Sequence, residues 1–185
     1  MSEILVPFVN ALVILDNEGE RLIAKYYDGR PKSDQMKTEQ FLHKKTKPVT
    51  ARADAEVLLM DNEVVVFRSG NDCKFYISGP AEENELILVG VLDNIFETVS
   101  SLLRNQVDKR TMLENLELVL LTIDEALDHG QIMELDTSAV QSRVLMKSSE
   151  GTPSGTPLAD LSISQALNLA REQFVKSLTT GREAH

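Results

Sequence analysis

The run of elements read from this sequence predicts an α+β domain in which helices cover an antiparallel sheet, followed by a tether and a separate amphipathic helix. Three observations carry that prediction. Apolar, β-branched runs at 8–15 and 21–27 flank a Gly19 turn, and three more such runs crowd into 56–78. From Leu86 onward the apolar period becomes helical. Residues 148–157, Ser-Ser-Glu-Gly-Thr-Pro-Ser-Gly-Thr-Pro, have the composition of a linker.

The first two strands, with Phe8 to Leu15 and Leu22 to Tyr27, pair as a hairpin because the polar loop around Gly19 is short. After Gly29-Arg30-Pro31, Ser33 is placed to cap a helix running to about Lys45. Its apolar face is thin (Met36, Phe41 and Leu42), so the helix should lie across a sheet with much of its surface wet. Glu56–Met60 and Val64–Arg68 flank an Asp61-Asn62 turn, Lys74–Ser78 follows Gly70-Asn71-Asp72, and Gly79-Pro80 is expected to end the sheet.

Glu82, Glu83 and Glu85 suit the N-terminus of the next helix, whose stripe is Leu88, Leu92, Ile95, Phe96, Val99, Leu102 and Leu103. Thr111-x-x-Glu114 reads as a capping box opening a helix with Met112, Leu113, Leu116, Val119, Leu120, Ile123, Ala126 and Leu127 on its apolar side. His129-Gly130 reads as its stop, and a shorter helix is expected over Ser138–Met146. The domain is therefore bounded at 1–147, with a flexible linker at 148–161, an amphipathic helix at 162–179 and a tail at 180–185. Ser162-x-x-Gln165 is a second capping-box candidate, and Ile163, Leu167, Ala170, Phe174 and Leu178 form one apolar stripe. A stripe on a tether needs a surface to bury it, either its own domain or a partner.

Composition narrows the function. The 185 residues carry a net charge of −10, which excludes a generic nucleic-acid binder. The charge is lopsided. Residues 21–52 hold nine cations against three acids, whereas 111–138 hold seven acids and no Lys or Arg. Such a chain can offer opposite fields to two partners, and the candidate partner-binding residues are Lys44, Lys45 and Lys47 together with the Ile163–Leu178 stripe. The start of the chain lacks the basic n-region of a signal peptide and no apolar run reaches the ~20 residues of a membrane helix, so a cytosolic protein is expected.

Chemistry-bearing residues are scattered. His43, His129 and His185 have no metal-ligand spacing, and Cys73 reads as a strand-start thiol. Asp124, Glu125 and Asp128 read as a solvated helix face, and Asp16-Asn17-Glu18-Gly19 as a turn without the calcium-loop pattern. No enzyme, cofactor or metal is expected. Thr152-Pro153 and Thr156-Pro157 match the pattern of proline-directed phosphorylation.

Several strings carry a resemblance. These are Leu15 to Tyr27 (Leu-Asp-Asn-Glu-Gly-Glu-Arg-Leu-Ile-Ala-Lys-Tyr-Tyr), Glu83 to Leu88, Leu113 to Glu117 with Asp124-Glu125, and the tail strings Ser164-Gln165-Ala166-Leu167 and Ala170-Arg171-Glu172-Gln173. Together they resemble the coatomer zeta-subunit family, a branch of the adaptor small subunits, with His129-Gly130 standing where that family often has two glycines. The resemblance implies a longin-like fold: a five-stranded antiparallel sheet flanked by helices on both faces, plus a C-terminal tethered helix. It also implies a non-catalytic subunit of the COPI vesicle coat acting in Golgi-to-ER and intra-Golgi transport. Such a subunit would pair with coatomer gamma, join other coatomer subunits and reach Golgi membranes only indirectly, through an Arf-family GTPase. The alternatives are a clathrin-adaptor small subunit, a longin-domain fusion protein of the SNARE type, and an enzyme with a site invisible in sequence.

Overall fold

A computed structural model describes residues 7–49, 54–60 and 62–149, with side chains through Met146. Two compact units divide the chain at Val144, and Leu145–Ser149 is the part of the second that is described. The tethered helix expected at 162–179 lies outside the described residues, as do the linker and tail.

The expected hairpin forms from β1 (Ala11–Asp16) and β2 (Arg21–Tyr26). Helix α1 (Lys32–Thr46) crosses to β3 (Glu56–Met60), β4 (Glu63–Ser69) and β5 (Cys73–Pro80). All pairings are antiparallel and the strand order is β2-β1-β5-β4-β3, so a five-stranded sheet forms around the late strand β5. Alternation splits the central strands between two cores. Leu12, Ile14, Val64, Val66, Phe75 and Ile77 point to one face, where α2 (Glu85–Leu102) supplies Leu88, Val91, Leu92, Ile95 and Val99. Ala11, Val13, Leu15, Val65, Phe67 and Tyr76 point to the other, under Leu42 of α1. Strands buried on both faces read as continuous apolar runs, which is why these were legible.

Several local expectations give way to tertiary packing. Helix α1 begins at Lys32 with Pro31 as its cap residue, so Ser33 lies inside the first turn and caps nothing. Its buried side is Glu39, Leu42 and Thr46, while Met36 is 57% exposed and Phe41 sits at the surface. Thr46 earns its burial by a 2.7 Å hydroxyl contact with Tyr76. Gly79-Pro80 ends the five-stranded sheet as expected, but from inside β5: both residues pair with β4, and Leu88 packs against Gly79 where a side chain would crowd it.

The single helix expected from Thr111 is two. Helix α3 (Lys109–Glu114) is capped by Asp108, whose carboxylate accepts the Thr111 amide at 2.9 Å, and Asn115 breaks the ladder before α4 (Leu116–Ala126). Thr111 is therefore not the cap, and Glu114 pairs outward with Arg110. The break turns Leu113 and Leu116 to solvent, while Met112, Val119, Ile123 and Ala126 keep the core side. His129-Gly130 is not a helix stop. Both residues have positive φ, 48° and 84°, and they form the turn of a small hairpin between β6 (Leu127–Asp128) and β7 (Gln131–Ile132). That hairpin docks on the chain's start: Val9 donates to the Gly130 carbonyl at 2.8 Å, and a Cβ on Gly130 would meet the Phe8 ring at 2.6 Å. Helix α5 (Thr137–Ser149) follows, with the Asp136 carboxylate accepting the Ala139 amide.

Candidate partner-binding surfaces

Three surfaces are built by this arrangement. The first is the outward face of α1. Lys44 and Lys45 occupy its last turn and Lys47 is its C-terminal cap residue; all three are exposed, and Lys45 lies 5.5 Å from the centre of the Phe41 ring. The sequence's basic segment is not one patch, however. Arg21 forks onto Glu39, Arg30 pairs with Asp28 and Glu63, and Lys25 reaches α4 to pair with Asp124. A register shift in the β1–β2 pairing lets Arg21 and Lys25 reach opposite faces of the sheet, and Arg30 pairs from the loop after β2, so each of these cations has a partner within the chain while the α1 lysines stay outward. Ile163, Leu167, Ala170, Phe174 and Leu178 lie outside the described residues.

The second surface is acidic and sits across the sheet. Helix α4 presents Glu117 and Asp124, and Asp128 follows on β6. Asp124 and Asp128 do not share a helix face, because α4 ends at Ala126. Asp124 meets Lys25, Glu125 lies 3.9 Å from Arg143, and Asp128 contacts His129 at 2.5 Å. Asp124 and Glu125 thus serve ion pairs to neighbouring elements, β2 and α5, while Asp128 bonds the adjacent His129 ring within its own hairpin.

The third surface was missed from sequence. Strand β3 is an edge strand whose Leu58 and Met60 pack into the α1-side core. Alternation turns Val57 and Leu59 to the α2 side, where they are 50% and 75% exposed, and Leu86 at the start of α2 is 72% exposed. An edge with open backbone groups and bare aliphatic side chains is an association surface unless something covers it. The available signal was the Val57-Leu58-Leu59-Met60 run, which is apolar on both faces although the strand is peripheral.

Among the described residues, one shallow cleft of about 490 Å³ is lined by Asp72, Lys109, Arg110, Leu113 and Glu114, and another of about 340 Å³ lies beside Arg68, Phe96 and Glu97. In the second, Arg68 stacks 4.2 Å from the Phe96 ring centre and bonds Asp93 at 2.7 Å. Cys73 is buried; burial, then Asp72 and Asp108, push its thiol up to about 12, so it stays protonated. Among the described residues no helix is long and apolar enough to cross a membrane.

Comparison with known proteins places this geometry. Residues 8–150 match the family described as clathrin adaptor complex small chain. The chain is 42% identical over 174 residues to coatomer subunit zeta-1 of Oryza sativa subsp. japonica, covering 93% of this chain and 97% of that one. It is 40% identical over 170 residues to coatomer subunit zeta-1 of Homo sapiens, covering 92% of each. Its backbone is similar to a chain in a homology model of the full-length AP-3 complex in a stretched open conformation. There the TM-score is 0.62 at 12% identity over 78% of this chain and 96% of the other, a likeness of fold. The two-sided five-stranded sheet and the zeta-like strings thus meet in one conclusion: the chain belongs to the clathrin adaptor complex small chain family and, within it, to the coatomer zeta subunits.

Proposed function

We propose that the chain is a non-catalytic subunit of the COPI coat, a rigid part that pairs with the coatomer gamma subunit and joins the other coatomer chains. Its setting is cytoplasmic, peripheral on Golgi membranes and COPI vesicles, where an Arf-family GTPase recruits the assembled coat for Golgi-to-ER and intra-Golgi transport. Similarity to coatomer zeta subunits over nearly the whole length, 92–97% of each partner in the alignments above, carries this reading.

The Val57–Leu59 ledge of β3, exposed among the described residues, supports it, since an obligate interface buries on the order of 2,000 Å² or more of largely apolar surface. The gamma subunit is assigned to that ledge, and the Ile163–Leu178 stripe to another coat subunit or to this chain's own domain. Co-expression with coatomer gamma tests the assignment. Leu59→Glu with Val57→Glu should abolish co-purification while circular dichroism stays that of the parent; unchanged recovery removes the ledge from the interface. A pull-down from cytosol that recovers clathrin-adaptor chains and no coatomer chains overturns the function itself.

A further inference from the structure

Among the described residues the lysines of α1 have few partners outside their own helix. Residues 32–47 hold five of them, and only Lys37 has an ionic partner among the described residues, Asp34 of the same helix at 2.9 Å. The helix's other acid, Glu39, is buried and taken by Arg21. Lys44, Lys45 and Lys47 therefore bring about three charges, without an ionic partner among the described residues, to the exposed C-terminal end of the helix. By helical period Lys37, Gln40 and Lys44 form its crest, with Met36 and Lys47 on one flank and Phe41 and Lys45 on the other. Met36 and Phe41 are apolar side chains the core does not take, 57% and 36% exposed.

A crest differs from a cleft in what it fits. Neither shallow cleft is lined by a residue of α1, and the face is convex, cationic along the top and apolar at both shoulders. A flat anionic surface with an apolar layer beneath complements that shape: lysine ammonium groups meet headgroup phosphates while Phe41 and Met36 reach the acyl boundary. The chain's overall charge of −10 does not forbid such contact, because the acids of α4 and β6 lie across the sheet. The screening length at physiological salt is about 8 Å, so the local face sets the interaction. The Gly19 turn, between Glu18 and Glu20, packs against His43. By helical period His43 falls on the Lys47 flank, away from Phe41 and Lys45; Asp34 falls between those two in azimuth, about two turns toward the N-terminus, and is paired with Lys37.

We propose that the outer face of α1, centred on Lys44, Lys45 and Phe41, is a direct contact with an anionic lipid bilayer. This adds to the indirect membrane association expected from the sequence. It concerns a different face of the sheet from the ledge given to the gamma subunit, so the two readings fail separately. Each lysine at such a surface contributes about fivefold to partitioning, so neutralising three lowers it about a hundredfold.

Flotation of the full chain with vesicles tests this, comparing phosphatidylcholine alone with phosphatidylcholine carrying phosphatidylserine, across a salt series. The expected result is flotation with the anionic vesicles only, declining as salt rises. The Lys44→Gln, Lys45→Gln, Lys47→Gln triple variant should lose it about a hundredfold, and Phe41→Ser should weaken it while keeping the salt slope. Both variants are to be checked for parental circular dichroism and gamma co-purification. Equal flotation of parent and triple variant, or equal flotation on neutral vesicles, overturns the proposal. So does a triple variant that floats normally but loses the gamma subunit, which would make the crest a protein contact.

Discussion

The Tyr26 hydroxyl donates a 2.8 Å hydrogen bond to Glu39, a carboxylate only 6% exposed on the sheet-facing side of α1. Arg21 completes the site, its Nη2 2.7 Å from the same oxygen and its Nε 3.2 Å from the other. Three side chains from two elements thus hold an ion pair where a thin apolar stripe left room for one. Burial and the neighbouring Glu39 raise the Tyr26 phenol far above its usual range, which keeps it a donor.

Removing parts of this site should rank them. Tyr26→Phe loses one bond and should cost about 1 kcal/mol. Arg21→Ala leaves a buried carboxylate with a single partner and removes a cation stacked 5.8 Å from the Tyr26 ring; it should cost about 1–3 kcal/mol, tempered because Arg21 is partly solvated. Urea midpoints at unchanged m-value measure both, and the reverse ranking would contradict the geometry.

Asp108, rather than Thr111, should behave as the cap of α3. Asp108→Ala should lower stability by about 1 kcal/mol through the exposed Thr111 amide. Glu114→Ala breaks only a solvent-exposed pair with Arg110 and should leave stability nearly unchanged. Thermal unfolding of the two variants separates a capping box at Thr111, which would make Glu114 matter, from the observed cap.

Acid sensitivity should concentrate at Asp16, which closes the β1–β2 hairpin. Burial alone would raise its carboxyl, but the 2.7 Å bond from Lys109 and the amides of Glu20 and Glu18 outweigh that and hold it below the usual range. A group depressed on folding contributes fully above its unfolded value, about 3.9, and loses that contribution as pH falls through the folded value. Asp16→Asn should be less stable at neutral pH and lose less stability below about pH 4 than the parent. Urea midpoints through the acid range check this; parallel curves would remove Asp16 from the account.

Cys73 should be silent in the native protein. Its sulfur is buried against the Val107 carbonyl at 3.7 Å and its thiol is pushed up to about 12. A colorimetric thiol reagent at mildly alkaline pH should find no reactive group until denaturant is added, and then one. Rapid native reaction would show that the strand start opens readily.

The strands and the long α2 were legible in the sequence because their signals are local: side chains alternating in a strand, or recurring each helical turn, record burial directly. Family strings added the sheet's two-sided covering. The candidate site was read less well. Lys44, Lys45 and Lys47 were recognised as exposed cations, but Arg21, Lys25 and Arg30 were summed with them although each finds a carboxylate partner, two of them on segments distant in sequence. The Val57–Leu59 ledge stayed hidden because an edge strand and a central one have similar apolar runs.

Helix ends and turns were where local reading failed. The same His129-Gly130 pair can close a helix or a hairpin, and both uses need a positive φ at glycine. Here Phe8 and Val9, more than a hundred residues earlier, receive the turn and leave no space for a side chain at Gly130. Asn115 likewise divides a continuous apolar stripe because Asp108 starts one helix from a loop, and the Lys109 amide is tied to Asp72 at 2.6 Å. Periodicity reports which face of an element is buried; where the element stops, and which strand becomes the edge, depends on contacts between segments far apart in the chain.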